Sequence, residues 1–242
     1  MSILLSVEGL VKKYPDFTLS IDSLTVLEGE AFGIIGRNGS GKSTFLDLVL
    51  GERKRNAGKI DLFGLDNVRD EGYIKSNIGF VVDDAGFFGK FSLKDAAAVL
   101  KLIYKSWDGL LFHDILAKFN LDSRMKFDDL SRGMLIKSNL ALALAHRPRL
   151  LILDEITSGL DPVSRIEVLE LLRDYLDEDT TRGVIFSTHI TDDLKRLADR
   201  VGFLDAGQFV LIERVDTFAD CSIDDLMVEY EGRVAKDEGP FA

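Results

Sequence analysis

The sequence predicts an α/β fold: a mixed sheet with helices on its faces, an N-terminal antiparallel β subdomain, and an inserted α-helical subdomain. Three observations carry this expectation. The wholly apolar run Ala31 to Ile35 leads into a glycine-rich stretch, Gly36-Arg37-Asn38-Gly39-Ser40-Gly41-Lys42-Ser43-Thr44, and then into a helix-like run from Thr44 to Leu50. A second apolar run, Leu150 to Leu153, ends abruptly in Asp154-Glu155. Between the two, strand patterning gives way to helical patterning. Short apolar runs bounded by turn signals are what strands buried on both faces look like.

Taken in order, Ile3 to Val7 and the alternation Phe17/Leu19/Ile21 predict antiparallel strands joined through the turn-like Tyr14-Pro15-Asp16. After the glycine-rich stretch and its helix, the polar loop Gly51 to Gly58 leads to strands at Lys59 to Phe63 and Ile78 to Val82. From Asp83 the texture changes: Ala85 to Phe91 is an aromatic-rich loop, and Ser92 with Asp95 three residues on reads as a helix cap. Helical patterning continues through Leu100 to Tyr104 and Asp108 to Phe119. Strand patterning resumes at Leu150, and a helix starts after Asp161, an apt N-cap with Pro162 at the first helical position. A strand at Gly183 to Ser187, a helix at Thr191 to Ala198 and a hairpin around Ala206-Gly207-Gln208 follow. Ser222 to Tyr230 reads as a terminal helix. The expected division is therefore a core of residues 1–87 and 148–230, a helical insert of 88–147, and a polar tail of 231–242.

Composition bounds the partners. Over 242 residues the formal net charge is -11, which argues against nucleic acid, because such affinity comes largely from clustered Lys and Arg. The single Cys221 excludes an internal disulfide framework and suits a reducing cytosol. No apolar run approaches a bilayer-spanning length, and the N-terminus lacks a basic region before Glu8. The expectation is a soluble, intracellular chain whose membrane role, if any, comes through a partner.

The glycine-rich stretch fits Gly, four residues, then Gly-Lys-Ser/Thr, the phosphate-binding loop of a P-loop NTPase core. Its glycines let successive backbone N–H groups point inward around anionic phosphates, and the following helix turns the positive end of its dipole to the same anion. Lys42 would reach the β- and γ-phosphates, and the Ser43 hydroxyl would ligate Mg²⁺. Downstream, Asp154 at a strand end can reach the metal shell, usually through water, and Glu155 can polarise the attacking water. These residues point to a bound nucleoside triphosphate.

With Leu130-Ser131-Arg132-Gly133-Met134 ahead of a long apolar helix, the chain resembles the ABC ATPases, whose signature is usually Leu-Ser-Gly-Gly-Gln. The resemblance covers residues 3 to 230. It implies a phosphate-loop and Walker B site for Mg-ATP, and a second anion site at Ser131 and the amides from Gly133, which in the family contacts the γ-phosphate held by the opposite subunit. Ser158-Gly159-Leu160-Asp161 is similar to the D-loop, His189 fits the switch histidine, and Tyr14 sits where the family stacks an aromatic on adenine. Tyr14 as a turn tyrosine packed on the sheet stays open beside that role.

Three departures stand out. Arg132 and Met134 replace Gly and Gln, and Arg132 could bind or crowd the trans phosphate. Asp83 lies where the family has a metal-touching Gln. Ile156 replaces the usual Pro.

The implied protein is an ATP-hydrolysing subunit, with a second ATPase subunit, that drives a polytopic membrane transport subunit from the inner face of the membrane, in an exporter-type or ABC-2-like system. Phe87, Phe88 and Phe91 suit that partner or pack the insert on the core. Two rivals remain: a soluble ABC-type ATPase, and a non-hydrolysing regulatory subunit.

Overall fold

A computed structural model describes residues 2–82 and 89–218. Asp83, Phe87, Phe88, the expected helix at 222–230 and the polar tail fall outside the described residues.

Two sheets share the chain. The first is antiparallel, with order β2-β1-β4-β5: β1 is Ile3–Lys13, β2 Thr18–Leu27, β4 Ala57–Leu62 and β5 Leu65–Asp66. The second has six strands in the order β10-β9-β3-β8-β7-β6. Its members are β3 (Ala31–Ile35), β6 (Ile78–Val82), β7 (Leu150–Asp154), β8 (Gly183–Thr188), β9 (Arg200–Asp205) and β10 (Gln208–Arg214). All neighbours in it are parallel except the β9–β10 hairpin, so the sheet is mixed, as expected.

Period-2 alternation explains why the central strands read as unbroken apolar runs. Ala31 and Ile35 of β3, Leu151 and Leu153 of β7, and Val184 and Phe186 of β8 face one core. Phe32 and Ile34, Leu150 and Ile152, and Ile185 face the other. Both faces are covered, so no position needs to be polar. The first core lies under the helices α3 (Leu93–Ile103), α4 (Gly109–Lys118), α5 (Arg132–Leu144), α6 (Pro162–Asp177) and α7 (Thr191–Leu197). The second is shared with the antiparallel sheet and with α1 (Lys42–Val49).

The caps behave as the local sequence demands. Ser92 and Asp95 form a reciprocal capping box at α3. Asp161 accepts from the amides of Val163 and Ser164, with Pro162 in the first turn of α6. Among the elements that patterning does not announce are the short β5 and α2 (Glu71–Ser76), whose only buried residue is Ile74. Parallel strands β3, β7 and β8 all end on the same edge of the sheet, and the loops leaving that edge carry the candidate site. Among the described residues, no helix is long and apolar enough to cross a membrane.

Candidate functional site

The phosphate-loop stretch leaves β3 and enters α1 as expected. Arg37, Asn38 and Gly39 form an exposed rim, while Gly36, Ser40 and Lys42 are buried. Gly41 is the N-cap of α1 with φ 109°, and a Cβ there would stand 2.8 Å from the Phe17 ring. Only glycine accepts both that backbone and that neighbour. Ser43 is exposed in the first turn of α1 and Thr44 half-buried beside it.

The Lys42 ammonium donates to the carbonyls of Gly36 (2.8 Å) and Arg37 (3.3 Å) and lies 3.1 Å from Oε1 of Glu155. The other oxygen of Glu155 is 3.4 Å from Nδ1 of His189. Lys42, Glu155 and His189, which the sequence scatters over three strand ends, thus form one chain of contacts. Glu155 also has φ 51°, the left-handed region that a non-glycine residue adopts only when its surroundings hold it there.

What holds it is Ser187. The Ser187 hydroxyl accepts from the Glu155 amide (2.9 Å) and donates to Oδ1 of Asp154. Ser187 pairs with Asp154 across the parallel β7–β8 ladder, so one hydroxyl holds the Asp154 carboxylate and the Glu155 backbone. A second support lies behind it. Asp193, fully buried in the first turn of α7, accepts from Thr157 Oγ1 (2.5 Å) and Thr188 Oγ1 (3.2 Å) and pairs with the Arg165 guanidinium. Thr157 follows Glu155 by two residues and Thr188 precedes His189 by one. Asp193 therefore ties together the two loops whose side chains meet at the site. The sequence places Ser187 at a strand end and Asp193 in a helix but gives neither a role at the site; the alignment of two neighbouring strand ends, each finishing in polar residues, is the available signal.

The remaining candidates gather elsewhere. Ser131 is the N-cap of α5 and accepts from the Met134 amide at 3.3 Å. Gly133 packs against Leu160 and Ser164 at the start of α6. Asp161 caps α6 through Oδ1, and the Ser164 hydroxyl and amide bonds hold its carboxyl below the usual range. Among the described residues, no hydrogen bond of Ser131, Gly133 or Asp161 reaches Lys42 or Glu155. Tyr14 stands beside Phe17, ring centroids 6.2 Å apart, with the Lys12 ammonium 5.2 Å from its ring. Phe17 is the aromatic that meets the phosphate loop directly, and a reading of it as one residue of a strand alternation overlooks this.

The residues fit a bound phosphate. Ser40 Oγ is buried in the loop with no hydrogen-bond partner among the described residues, and nothing lies within 4 Å of where a Gly39 Cβ would stand. The open room at Gly39 suits an anion held by the loop's backbone amides. For a metal, no group of three or more His, Cys, Asp or Glu converges among the described residues. One hydroxyl and one carboxylate with phosphate and water oxygens is the ligand set Mg²⁺ takes.

The profile of the ABC transporter family matches residues 19–158. The chain is 32% identical over 194 residues to the ABC transporter ATP-binding protein YtrB of Bacillus subtilis, covering 80% of this chain and 66% of that one. It is 33% identical to the Nod factor export ATP-binding protein I of Neorhizobium galegae, covering 85% and 60%, and 30% identical to the bacitracin transport ATP-binding protein BcrA of Bacillus licheniformis, covering 87% and 69%. The chain thus spans about two thirds of the length of these relatives. Among solved structures, the ATP-binding subunit of an ABC transporter superposes with TM-score 0.84 over 93% of this chain and 98% of that one, at 24% identity, a likeness of fold. A Clostridium perfringens protein, cbiO1, part of the ABC transporter complex cbiONQ, superposes with TM-score 0.75 at 25% identity over 98% and 100%.

Proposed function

This chain belongs to the ABC transporter family of ATP-binding proteins, and on that premise we propose that it is the ATP-hydrolysing subunit of a transporter. The observation that carries the reading is the continuous contact from Lys42 through Glu155 to His189 at the mouth of the phosphate loop.

The chemistry follows from what these groups exchange. A triphosphate entering the loop competes with Glu155 for the Lys42 ammonium, because a polyanion attracts it more strongly than a single carboxylate. Released from Lys42, Glu155 keeps its place through Ser187 and is free to accept a proton from water. His189 then has two anionic neighbours, Glu155 and the terminal phosphate, and orients against both. Ser43 and Asp154 would hold Mg²⁺, which would supply neutralisation of the phosphate charge. Tyr14, steadied by Phe17, stacks on the adenine. Ser131 and the amides from Gly133 serve the γ-phosphate of a second copy or a paralogue, so two chains enclose two nucleotides. ATP then favours the closed pair and hydrolysis releases it.

Residues 1–87 and 148–230 act as the nucleotide-holding unit in this reading and 88–147 as the lever. The lever and core bound a groove of about 410 Å³, mostly apolar and lined by Leu50, Ile78, Phe80, Leu100, Tyr104 and His146. It suits an amphipathic segment of a polytopic membrane subunit, which would hold the chain at the inner face of the membrane. The chain handles no nucleic acid.

Phosphate release from the purified chain and from Glu155→Gln tests the enzyme. Loss of a general base predicts a fall of about 10²-fold to 10⁴-fold, and equal rates would remove Glu155 from the mechanism. Recovery of a polytopic protein with a tagged copy from detergent-solubilised membranes tests the partner. Phe80→Asp, an exposed change in the groove, should cut that recovery about ten-fold with ATP binding intact.

A further inference from the structure

Resting on the two-chain reading above, we propose that Arg132 is a latch. Its guanidinium packs on the backbone of Gly159 and fixes the first turn of α5, and with it Ser131, to the Ser158–Asp161 loop of the same chain. A Cβ on Gly159 would stand 2.3 Å from Nη1 and 2.9 Å from Cζ of Arg132, so the guanidinium lies against a residue that glycine alone leaves bare. Gly159 also has φ 73°, the left-handed region that glycine adopts without strain.

The contact opens a seam. One residue on, Gly133 packs with a Cβ position 3.5 Å from Ser164 Oγ and 3.7 Å from Leu160. One turn further, the buried Lys137 donates to Ser164 Oγ at 3.1 Å and pairs with Glu167. Positions 132, 133 and 137 of α5 thus meet 159, 160, 164 and 167 in sequence. Arg132 closes the end of the seam at which Ser131 begins.

Arginine suits this task better than lysine. Its planar fork can lie flat on a peptide, whereas an ammonium is a compact charge on a flexible stem. A guanidinium laid on its own chain's loop is also not extended toward a phosphate. The substitution that departs from the family's usual glycine therefore positions Ser131 and does not add a phosphate ligand. Ser131 and the loop at Gly159 would move as one piece.

Two readouts test this. In the isolated chain, Arg132→Gly and Arg132→Lys should each speed amide exchange at residues 158–161 about five-fold or more, with β3 amides unchanged. In a Glu155→Gln background, the ATP concentration that half-saturates dimer formation should rise about five-fold for Arg132→Gly, Arg132→Lys and Gly159→Ala, with nucleotide affinity of the single chain unaltered. The double variant Arg132→Gly/Gly159→Ala should be no worse than the poorer single one. Backbone strain from Gly159→Ala is common to both backgrounds and drops out of the comparison.

Unchanged exchange, or additive effects, would remove the latch. If Arg132→Lys keeps the parent midpoint, Arg132 becomes a charge acting across the dimer. If the Glu155→Gln parent itself stays monomeric with ATP, the two-chain reading fails, and the exchange readout still decides the contact.

Discussion

The two halves of the candidate site differ in how complete they are on one chain. At the phosphate loop, Lys42 and His189 each meet Glu155, and Ser187 and Asp193 brace the loops that carry Glu155 and His189. At the start of α5 and α6, the exposed polar groups are held within the same chain: Ser131 caps α5, Asp161 caps α6, and Arg132 lies on Gly159. On the proposed reading the first half is the reacting centre. On the same reading the second is a surface around the Ser131-capped N-terminus of α5, with no reaction of its own to perform. A site split in this way acts, on the proposed reading, only when the second half of one molecule meets the first half of another.

Substitutions should separate the halves, and the largest effect belongs to the first. Lys42→Ala removes the one buried cation of the loop and should lower hydrolysis about 10²-fold to 10³-fold while weakening nucleotide binding to a single chain. A titration with a fluorescent ATP analogue on the monomer, beside a phosphate-release assay, shows both.

Asp193→Asn should come next. It leaves Arg165 without its counter-charge; because that arginine still reaches solvent, the cost falls below that of a fully buried pair, to about 2 kcal/mol. A melting curve should shift down by about 4–8 °C. Turnover should fall as well, since the Thr157 and Thr188 loops lose their shared anchor; turnover unchanged in the folded variant would break the link between the loops.

Ser131→Ala belongs to the second half and should be milder in the single chain. It removes an N-cap worth about 1 kcal/mol. Monomer nucleotide affinity should stay at the parent value while turnover drops, the opposite split from Lys42→Ala. If the monomer loses nucleotide affinity, the division into halves is wrong.

The smallest effect concerns pH at the groove. His146 is buried, stacks on Tyr104 with centroids 4.0 Å apart, and has Nε2 3.0 Å from the Ile78 carbonyl. Burial pushes its pKa below the usual histidine value, with the backbone bonds only partly opposing this. The unfolded chain then binds the proton more readily than the folded one, so this contribution is present above the ordinary histidine pKa and is lost as pH falls through the folded one. Denaturant midpoints of the parent and of His146→Gln, followed from about pH 7.5 down to about pH 5, should converge on acidification. Parallel curves would contradict it.

Much of this was legible in the chain, for local reasons. Unbroken apolar runs mark β3 and β7 because both of their faces are covered. The Ser92–Asp95 box and the Asp161-Pro162 cap are decided within a few residues. The phosphate loop is equally local, since its glycines, lysine and serine are consecutive. What patterning misses is set by distance. Six-residue α2 buries one side chain, too few for a period. The Ser187 and Asp193 contacts cross between strands and loops, and only the β7–β8 register brings Ser187 level with Asp154. Phe17 reads as one residue of an alternation because nothing local says that Gly41 lies beneath its ring. Asp83, Phe87 and Phe88, the candidates from the aromatic loop, lie outside the described residues.

The most direct test of the account is sedimentation of the Glu155→Gln chain with saturating Mg-ATP and, separately, with Mg-ADP. The divided site predicts a dimer with ATP that reverts to monomer with ADP, and loss of that dimer in Ser131→Ala. A chain that binds ATP in its phosphate loop yet sediments as a monomer in both nucleotides, with hydrolysis of the parent intact, would contradict it.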